Sequence, residues 1–212
     1  MKALIIGATG ATGRDLLRML LQDAAYGEVV IFVRRASGLT RAGVTEIVTD
    51  FDNIEAVAEQ IRGDAWFSCL GTTRKLAGSR DKQWQVDYEI PAKFAEVAKR
   101  NGVRAAVLLS AYGASSTSNI FYSRMKGALE DKIESLAFDQ YIIFRPGLLQ
   151  RRNSDRAGER ISAGILNFLN SIGLFKKFRP VPTEVLAAKM AKAPRALGAG
   201  RHVVSLDRIV SL

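Results

Sequence analysis

Tyr122 and Lys126 stand four residues apart in the segment FYSRMKG, residues 121–127. If this segment is helical, positions i and i+4 lie on one face, so the phenol and the ammonium point the same way. A nearby ammonium favours the phenolate form of a phenol, which makes the pair a candidate proton donor. The alternative is that Tyr122 packs under a loop while Lys126 is solvated.

A second candidate site is the glycine-rich stretch GATGATG, which directly follows the apolar run 2–6 and opens a helical pattern. Glycines there let the backbone turn tightly and approach a pyrophosphate, and the N-terminus of the helix presents free N–H groups to it. The spacing is G-x-x-G-x-x-G, and an ordinary tight strand-to-helix turn is the alternative. The predicted dinucleotide contacts of this loop are Gly7, Ala8, Thr9, Gly10, Ala11, Thr12 and Gly13.

The end of the next apolar run, VIFVRR, places Arg34 and Arg35 where NAD binders usually carry an acid. A carboxylate at that point holds the ribose 2′-hydroxyl and repels a 2′-phosphate, whereas guanidinium groups pair with a phosphate. We therefore predict that the cofactor is NADP(H), with NADPH preferred over NADH. A solvated pair of arginines at a strand end is the alternative.

Apolar runs and helical patterns alternate along residues 1–147 and would position these side chains. Several runs are apolar throughout, as in a parallel sheet that is covered on both faces. The pattern predicts an α/β fold with a doubly wound, Rossmann-type parallel sheet, whose ligands bind beyond the carboxyl ends of the strands. The predicted strands are 2–6, 28–33, 44–49, 65–70, 103–110 and 140–147, and the predicted helices are 12–23, 53–62, 81–102 and 118–138.

The pattern changes after residue 147. A polar stretch precedes an apolar, helix-like segment at 161–175, and a second helix is predicted at 182–197 before a short strand-like run. We predict a single domain over 1–212, with a core at 1–147 and a small C-terminal appendage of helices and a short strand at 148–212. This appendage would cover one side of the ligand crevice.

The chain carries 31 Lys and Arg against 21 Asp and Glu, a net charge of +10. The basic residues are scattered, and such charge supports only nonspecific association with nucleic acid, so no specific nucleic-acid partner is expected. No apolar run reaches the roughly 18 residues that span a bilayer. The single cysteine, Cys69, fits a reducing compartment, and we predict a cytoplasmic protein. With one histidine and no Cys/His cluster, a metal site is not expected.

Beyond these signals, several segments resemble the atypical short-chain dehydrogenase/reductases, and most closely their Tat-interactive oxidoreductase-like branch. The resemblance covers nearly the whole chain. It is densest over residues 3–149, and VP at 181–182 also matches. It is carried by GATGATGRDLL, SCLGTTRKLAGS, VDYEIPAKFAEVAKRNGVRAAVLLSAYGA and YSRMKGALEDKIESLAFDQYIIFRPGLL.

The resemblance implies a catalytic set of Ser110, Tyr122 and Lys126. Tyr122 would protonate the oxygen of a carbonyl that accepts hydride, Ser110 would hydrogen-bond that oxygen, and Lys126 would also hold the nicotinamide ribose. Many superfamily members add an Asn on the helix before the fifth strand. Residues 81–100 contain no Asn, and Asp87 or Tyr88 lies nearest that place.

The resemblance also implies further cofactor contacts after the third, fourth and sixth strands, at Asp50, Phe51, Leu70, Gly71, Thr72, Pro146 and Gly147. The expected function is an NADPH-dependent reductase of a small carbonyl or quinone-like substrate. A dinucleotide-binding regulator or sensor that acts through protein partners is the alternative. The helix at 118–138 pairs subunits in many relatives, so a homodimer stays open.

Overall fold

A parallel sheet of seven strands forms the centre of the protein. The computed structural model describes residues 1–39, 41–150, 180–206 and 208–211. The strands are β1 Lys2–Ile6, β2 Glu28–Val33, β3 Val44–Val48, β4 Ala65–Ser68, β5 Ala105–Leu109, β6 Gln140–Arg145, β7 Leu149–Gln150, β8 Val181–Pro182 and β9 Gly200–Ser205. The order in the main sheet is β3-β2-β1-β4-β5-β6-β9, and β7 and β8 form a separate pair.

Helices cover both faces of this sheet. A 3₁₀ helix spans Ile54–Gln60, and a π-helical turn spans Gln85–Glu89. The α-helices are α1 Ala11–Gln22, α2 Arg74–Ala77, α3 Arg80–Trp84, α4 Ile90–Arg100, α5 Phe121–Ser135, α6 Thr183–Ala196 and α7 Arg208–Ser211.

The continuously apolar strands pack against two separate hydrophobic layers because each strand buries both of its faces. On one face, Leu16 and Leu20 of α1 and Met190 of α6 pack in the layer that includes Ile5 and Phe67. On the other face, α4 and α5 contribute side chains to the layer built around Trp66, which stacks on Phe94. The predicted doubly wound Rossmann-type sheet is confirmed.

The predicted C-terminal helix and strand are both present: the strand, β9, forms one edge of the sheet, and the helix, α6, packs on one of its faces. Strand β9 pairs in parallel with β6, with Ile142 opposite His202. The OH group of Tyr26, just past α1, donates a hydrogen bond of 2.7 Å to the carbonyl of Ala191 in α6. The predicted polar stretch and apolar helix within 151–179 lie outside the described residues.

Two predicted helices differ from the structure. The segment predicted as a helix at 53–62 is a 3₁₀ helix, and its Val57 leaves helical geometry with φ −115° and ψ 15°. The long helix predicted at 81–102 is divided into α3, the π-helical turn and α4, with Pro91 in the first turn of α4, where a proline is tolerated. None of the helices in the described part of the chain is long and apolar enough to span a bilayer.

Candidate functional site

The phosphate loop, residues 7–13, needs glycine at two positions where backbones nearly touch. Gly7 has φ +82°, and a Cβ there would lie 2.6 Å from the carbonyl carbon of Cys69. A Cβ on Gly13 would lie 2.8 Å from the carbonyl carbon of Gly7. A side chain at Gly7 would push away the chain that follows β4, and a side chain at Gly13 would push α1 away from the turn at Gly7.

The N-terminus of α1 is suited to a pyrophosphate. Gly10 is the N-cap and makes no side-chain hydrogen bond to the helix, and the first turn carries no acidic residue. The backbone N–H groups of that turn are therefore left for an anion, which the helix dipole also favours. Thr9 and Gly10 are exposed, while Ala8 and Thr12 are buried and fix the loop. The loop fits the dinucleotide that the sequence predicts.

Arg34 and Arg35 are both exposed directly after β2, at the carboxyl edge of the sheet. The turn that follows them is fixed because Glu46 of β3 accepts hydrogen bonds from the backbone N–H of Ser37, at 3.2 Å, and from its hydroxyl. Asp50, after β3, is exposed, and Phe51 is buried. These residues stand at the same edge as the phosphate loop, as the strand order requires.

The loop after β4 lies against the phosphate loop and is tied to the helices that follow it. The N–H of Cys69 donates a 2.9 Å hydrogen bond to the carbonyl of Ile6, which continues the ladder to the end of β1. Further along, the N–H of Thr72 donates to Asp87 at 2.7 Å, and its carbonyl accepts from Gln83 at 3.2 Å. Leu70, Gly71 and Thr72 are thereby positioned at the carboxyl ends of β1 and β4.

Tyr122 and Lys126 do not follow the alternative in which the tyrosine is covered and the lysine is solvated; the structure shows the opposite. Tyr122, in the first turn of α5, is 42% exposed, whereas Lys126 is 2% exposed. The Lys126 ammonium lies 3.4 Å from the carbonyl oxygen of Leu70 and 4.0 Å from Oδ2 of Asp87. An accessible phenol and a buried cation therefore lie one helical turn apart, beside the loop after β4.

Gly127 lets the loop after β5 pack directly on α5, at the residue next to Lys126. A Cβ on Gly127 would lie 2.6 Å from the Cα of Ser115 and closer still to the peptide bond between Ser115 and Ser116. The N–H of Ser115 also donates to the carbonyl of Ser123 at 3.1 Å. The loop after β5 therefore packs directly on the α5 backbone, which glycine alone permits.

Ser110 follows β5 directly, and its hydroxyl donates to Oε1 of Glu130, a buried residue of α5. The same carboxylate pairs with Arg145, whose Nε lies 3.0 Å from Oε1, and this pairing raises the pKa of the guanidinium further. A serine hydroxyl has one proton, so Ser110 in this arrangement can accept a hydrogen bond at the site but cannot donate a second one.

Pro146 and Gly147 follow Arg145 at the carboxyl end of β6. The Pro146 carbonyl accepts a 2.9 Å hydrogen bond from the N–H of Tyr112, which joins the loops after β5 and β6. The carboxyl edge of the sheet therefore carries the phosphate loop and also the later predicted site residues, which are Ser110, Tyr122, Lys126, Pro146 and Gly147.

Sequence reasoning missed two buried carboxylates at this edge. Glu130 stands one helical turn after Lys126, and that spacing could have indicated a third member of the same helix face. Asp87 was noted only by its place in sequence. Burial raises the pKa of the Asp87 carboxyl, while Lys126 and the Thr72 N–H oppose part of that rise.

Comparisons with known proteins agree with this geometry. A family model described as NAD(P)H-binding matches residues 7–166. Protein HTATIP2 of Rattus norvegicus is 39% identical over 160 residues, which are 73% of this chain and 66% of that protein. The chain belongs to the NAD(P)H-binding atypical short-chain dehydrogenase/reductases. The family that the motifs predicted is therefore confirmed, and so is its Tat-interactive oxidoreductase-like branch.

Other relatives of this short-chain dehydrogenase/reductase overturn one prediction. Protein FMP52-1, mitochondrial, of Scheffersomyces stipitis is 35% identical over 82% of this chain and 79% of its own length. Protein fmp52, mitochondrial, of Aspergillus clavatus is 34% identical over 79% of this chain and 75% of its own length. The predicted cytoplasmic localisation is contradicted by these names. A single cysteine fits any reducing compartment and could not single out the cytosol.

Solved structures share the fold. A short-chain dehydrogenase/reductase superfamily protein from Agrobacterium tumefaciens, with bound NAD, has a TM-score of 0.72 and 17% identity, and the match covers 97% of this chain and 77% of that one. The oxidoreductase ylbE from Lactococcus lactis has a TM-score of 0.72 and 19% identity, covering 100% of this chain and 96% of that one. At such low sequence identities, these similarities show the fold alone.

Proposed function

We propose that this protein is an NADPH-dependent reductase of a small carbonyl or quinone-like substrate, with Tyr122 as the proton donor. The observation that carries the proposal is the burial of Lys126 one helical turn after the exposed Tyr122. A buried ammonium close to a phenol favours the phenolate that remains after proton transfer. A lysine on a solvated surface would have no such effect.

The dinucleotide would lie along the carboxyl edge of the sheet. The phosphate loop would bind its pyrophosphate, and the loop from Leu70 to Thr72 would contact the ribose next to the nicotinamide. Pro146 and Gly147 would lie by the nicotinamide, and Asp50 and Phe51 by the adenine. When bound, the nicotinamide supplies the hydride for carbonyl reduction.

The residues of this chain would then carry the proton transfer. Tyr122 donates the phenolic proton to the reacting oxygen, and Lys126 stabilises the resulting phenolate. Ser110 contributes as an acceptor, because its proton is directed to Glu130. It would accept a hydrogen bond from the hydroxyl group of the product.

The preference for NADPH is supported by the exposure of Arg34 and Arg35 beside the loop where a 2′-phosphate would be placed. We expect NADPH to bind on the order of tenfold or more tightly than NADH, because hydrogen bonds to charged groups contribute about 1.5–3 kcal/mol. Isothermal titration calorimetry measures both constants. Arg34→Ala and Arg35→Ala should weaken NADPH alone, whereas Arg104→Ala, at the amino edge of the sheet, should change neither. Tighter binding of NADH would contradict the preference.

Turnover is tested with a panel of small aldehydes, ketones and quinones. Tyr122→Phe should lower kcat about 10²–10⁴-fold, the range for loss of general acid catalysis, with little change in the dissociation constant of NADPH. Full turnover by Tyr122→Phe would refute the proton-donor role. The matched control is Tyr112→Phe, which removes a phenol from the neighbouring loop.

A dinucleotide-dependent regulator is the second candidate function. It is favoured by the engagement of Ser110 with Glu130, which leaves the reacting oxygen without a serine donor. Tight NADPH binding with no turnover across the panel would support this function over catalysis. Absence of binding to either dinucleotide would contradict both.

A further inference from the structure

Asp87 is a fully buried carboxylate in the π-helical turn before α4, and the proton transfer described above gives it no role. Its Oδ1 accepts the 2.7 Å hydrogen bond from the N–H of Thr72. Its Oδ2 has no hydrogen-bond partner among the described residues and lies 4.0 Å from Nζ of Lys126. Because an unpaired buried carboxylate is strongly unfavourable, the nearby cation must compensate for its burial.

Lys126 has the complementary need. Its ammonium carries three N–H donors, and the described hydrogen bond is the long one to the carbonyl of Leu70, at 3.4 Å. A carbonyl offers no full negative charge. The side chain of Asp87 is the carboxylate that forms an ion pair with Lys126, and both side chains are almost completely withdrawn from solvent.

We propose that Asp87 is a positioning residue, the counter-charge that fixes the buried Lys126 ammonium at the carboxyl edge and ties it to the loop after β4. The inference rests on the proposed function, because it assigns Asp87 to the proton-transfer pair. It is carried by one carboxylate that reaches two predicted cofactor-contact elements, Thr72 through Oδ1 and Lys126 through Oδ2.

The local backbone supports a special role for this position. A π-helical turn departs from regular α-helical hydrogen bonding and is frequent at functional sites. Here it lies between α3 and α4, and its Asp87 carboxylate is buried. In the part of the chain that the structure describes, titratable groups near Lys126 include Tyr122 and Glu130, one turn away on α5, and the Cys69 thiol on the loop after β4. Burial raises the pKa of that thiol to about 12, and Lys126 opposes the rise.

The first test needs no dinucleotide. The carboxyl ¹³C resonance of Asp87, identified by its loss in Asp87→Asn, is titrated in the wild type and in Lys126→Met. Removing the cation should raise the pKa of Asp87 further, because the charge of Lys126 opposes the rise that burial causes. Lys93→Met removes an exposed lysine of α4 and should leave the value unchanged. An unchanged pKa in Lys126→Met would overturn the inference.

The second test is a double-mutant cycle on NADPH binding, measured by calorimetry. Asp87→Asn keeps the acceptor for Thr72 and removes the charge, and should weaken binding about tenfold while Lys126 is present. In the Lys126→Met background it should add less than about twofold. Asp81→Asn, an exposed carboxylate of α3, is the control and should have no effect. Equal behaviour of Asp87→Asn and Asp81→Asn would overturn the inference.

The two tests separate the inference from the proposed function. If the wild type binds neither dinucleotide, the proposed function fails, and the Asp87 titration alone settles whether the carboxylate and Lys126 are coupled. If NADPH binds but the pKa of Asp87 is the same in the wild type and in Lys126→Met, the proposed function stands and the positioning role is overturned. If Asp87→Asn does not fold, the Asp87 carboxyl resonance is assigned through its connectivity to the backbone, and its titration in the wild type and in Lys126→Met still provides the answer.

Discussion

The two ends of the candidate site are built differently. At the phosphate loop, backbone meets backbone, and the requirement is for the absence of side chains at Gly7 and Gly13. At the other end, charged side chains pair away from solvent: Lys126 with Asp87, both buried, and the partly buried Arg145 with the buried Glu130. The phosphate loop is one continuous segment, whereas the charged end draws its partners from the turn before α4, from α5 and from β6.

The difference affects how each end tolerates change. A glycine loop fails when a side chain intrudes, and it fails regardless of charge or pH. A buried ion pair fails when one partner is removed, because the remaining charge is left uncompensated. Gly127 is an exception to this division, because at the charged end it makes the same kind of close backbone contact as the glycines of the phosphate loop.

The largest expected effects test that exception. Gly127→Ala should lower the free energy of unfolding by about 3 kcal/mol, because the new Cβ would meet the backbone of Ser115 and Ser116 and cannot be accommodated by a side-chain rotation. Gly13→Ala should have a comparable effect at the phosphate loop. Urea denaturation followed by circular dichroism measures both.

Gly27→Ala is the control for these substitutions, since nothing lies within 4 Å of a Cβ at that position. It should change the free energy of unfolding by less than about 0.5 kcal/mol. A Gly127→Ala protein as stable as the Gly27→Ala protein would show that the contact between α5 and the loop after β5 does not require glycine.

An intermediate effect is expected at the buried carboxylate of α5. Glu130→Gln should lower stability by about 2 kcal/mol, because Arg145 loses its counter-charge where its side chain is only 26% exposed. The matched control is Glu134→Gln on the same helix, whose pair with Arg201 is about half exposed and should contribute less than about 0.5 kcal/mol. Equal losses would mean that burial does not distinguish the two pairs.

The smallest effect concerns Cys69, which lies between the two ends. Burial raises the pKa of its thiol to about 12, so the folded protein keeps the proton while the unfolded chain loses it above pH 9. Its contribution is therefore fully present below pH 9 and falls as pH rises, by about 1.4 kcal/mol between pH 8 and pH 10. Urea denaturation across this range should show a shallower decline for Cys69→Ala. Parallel curves for the two proteins would contradict a Cys69 thiol whose pKa is raised in the folded protein.

Local pattern was sufficient for much of the fold. The apolar runs predicted β1 to β6, and the glycine spacing predicted the phosphate loop, because both depend on neighbouring residues. The helix predicted at 53–62 is present, but the sequence did not specify that it is a distorted 3₁₀ helix, because its hydrophobic pattern does not distinguish the two helix types. The long helix over 81–102 hid the π-helical turn at Asp87 for the same reason.

The sequence by itself determined the family, the Rossmann-type sheet and the identity of the residues at its carboxyl edge. The tertiary structure alone decided that Lys126 is buried, that Asp87 faces it, and that the Ser110 hydroxyl donates a hydrogen bond to Glu130. The physical reason is that periodicity and glycine spacing act over a few residues. Burial and charge pairing arise only when strands β4, β5 and β6 align and bring α5 against the π-helical turn.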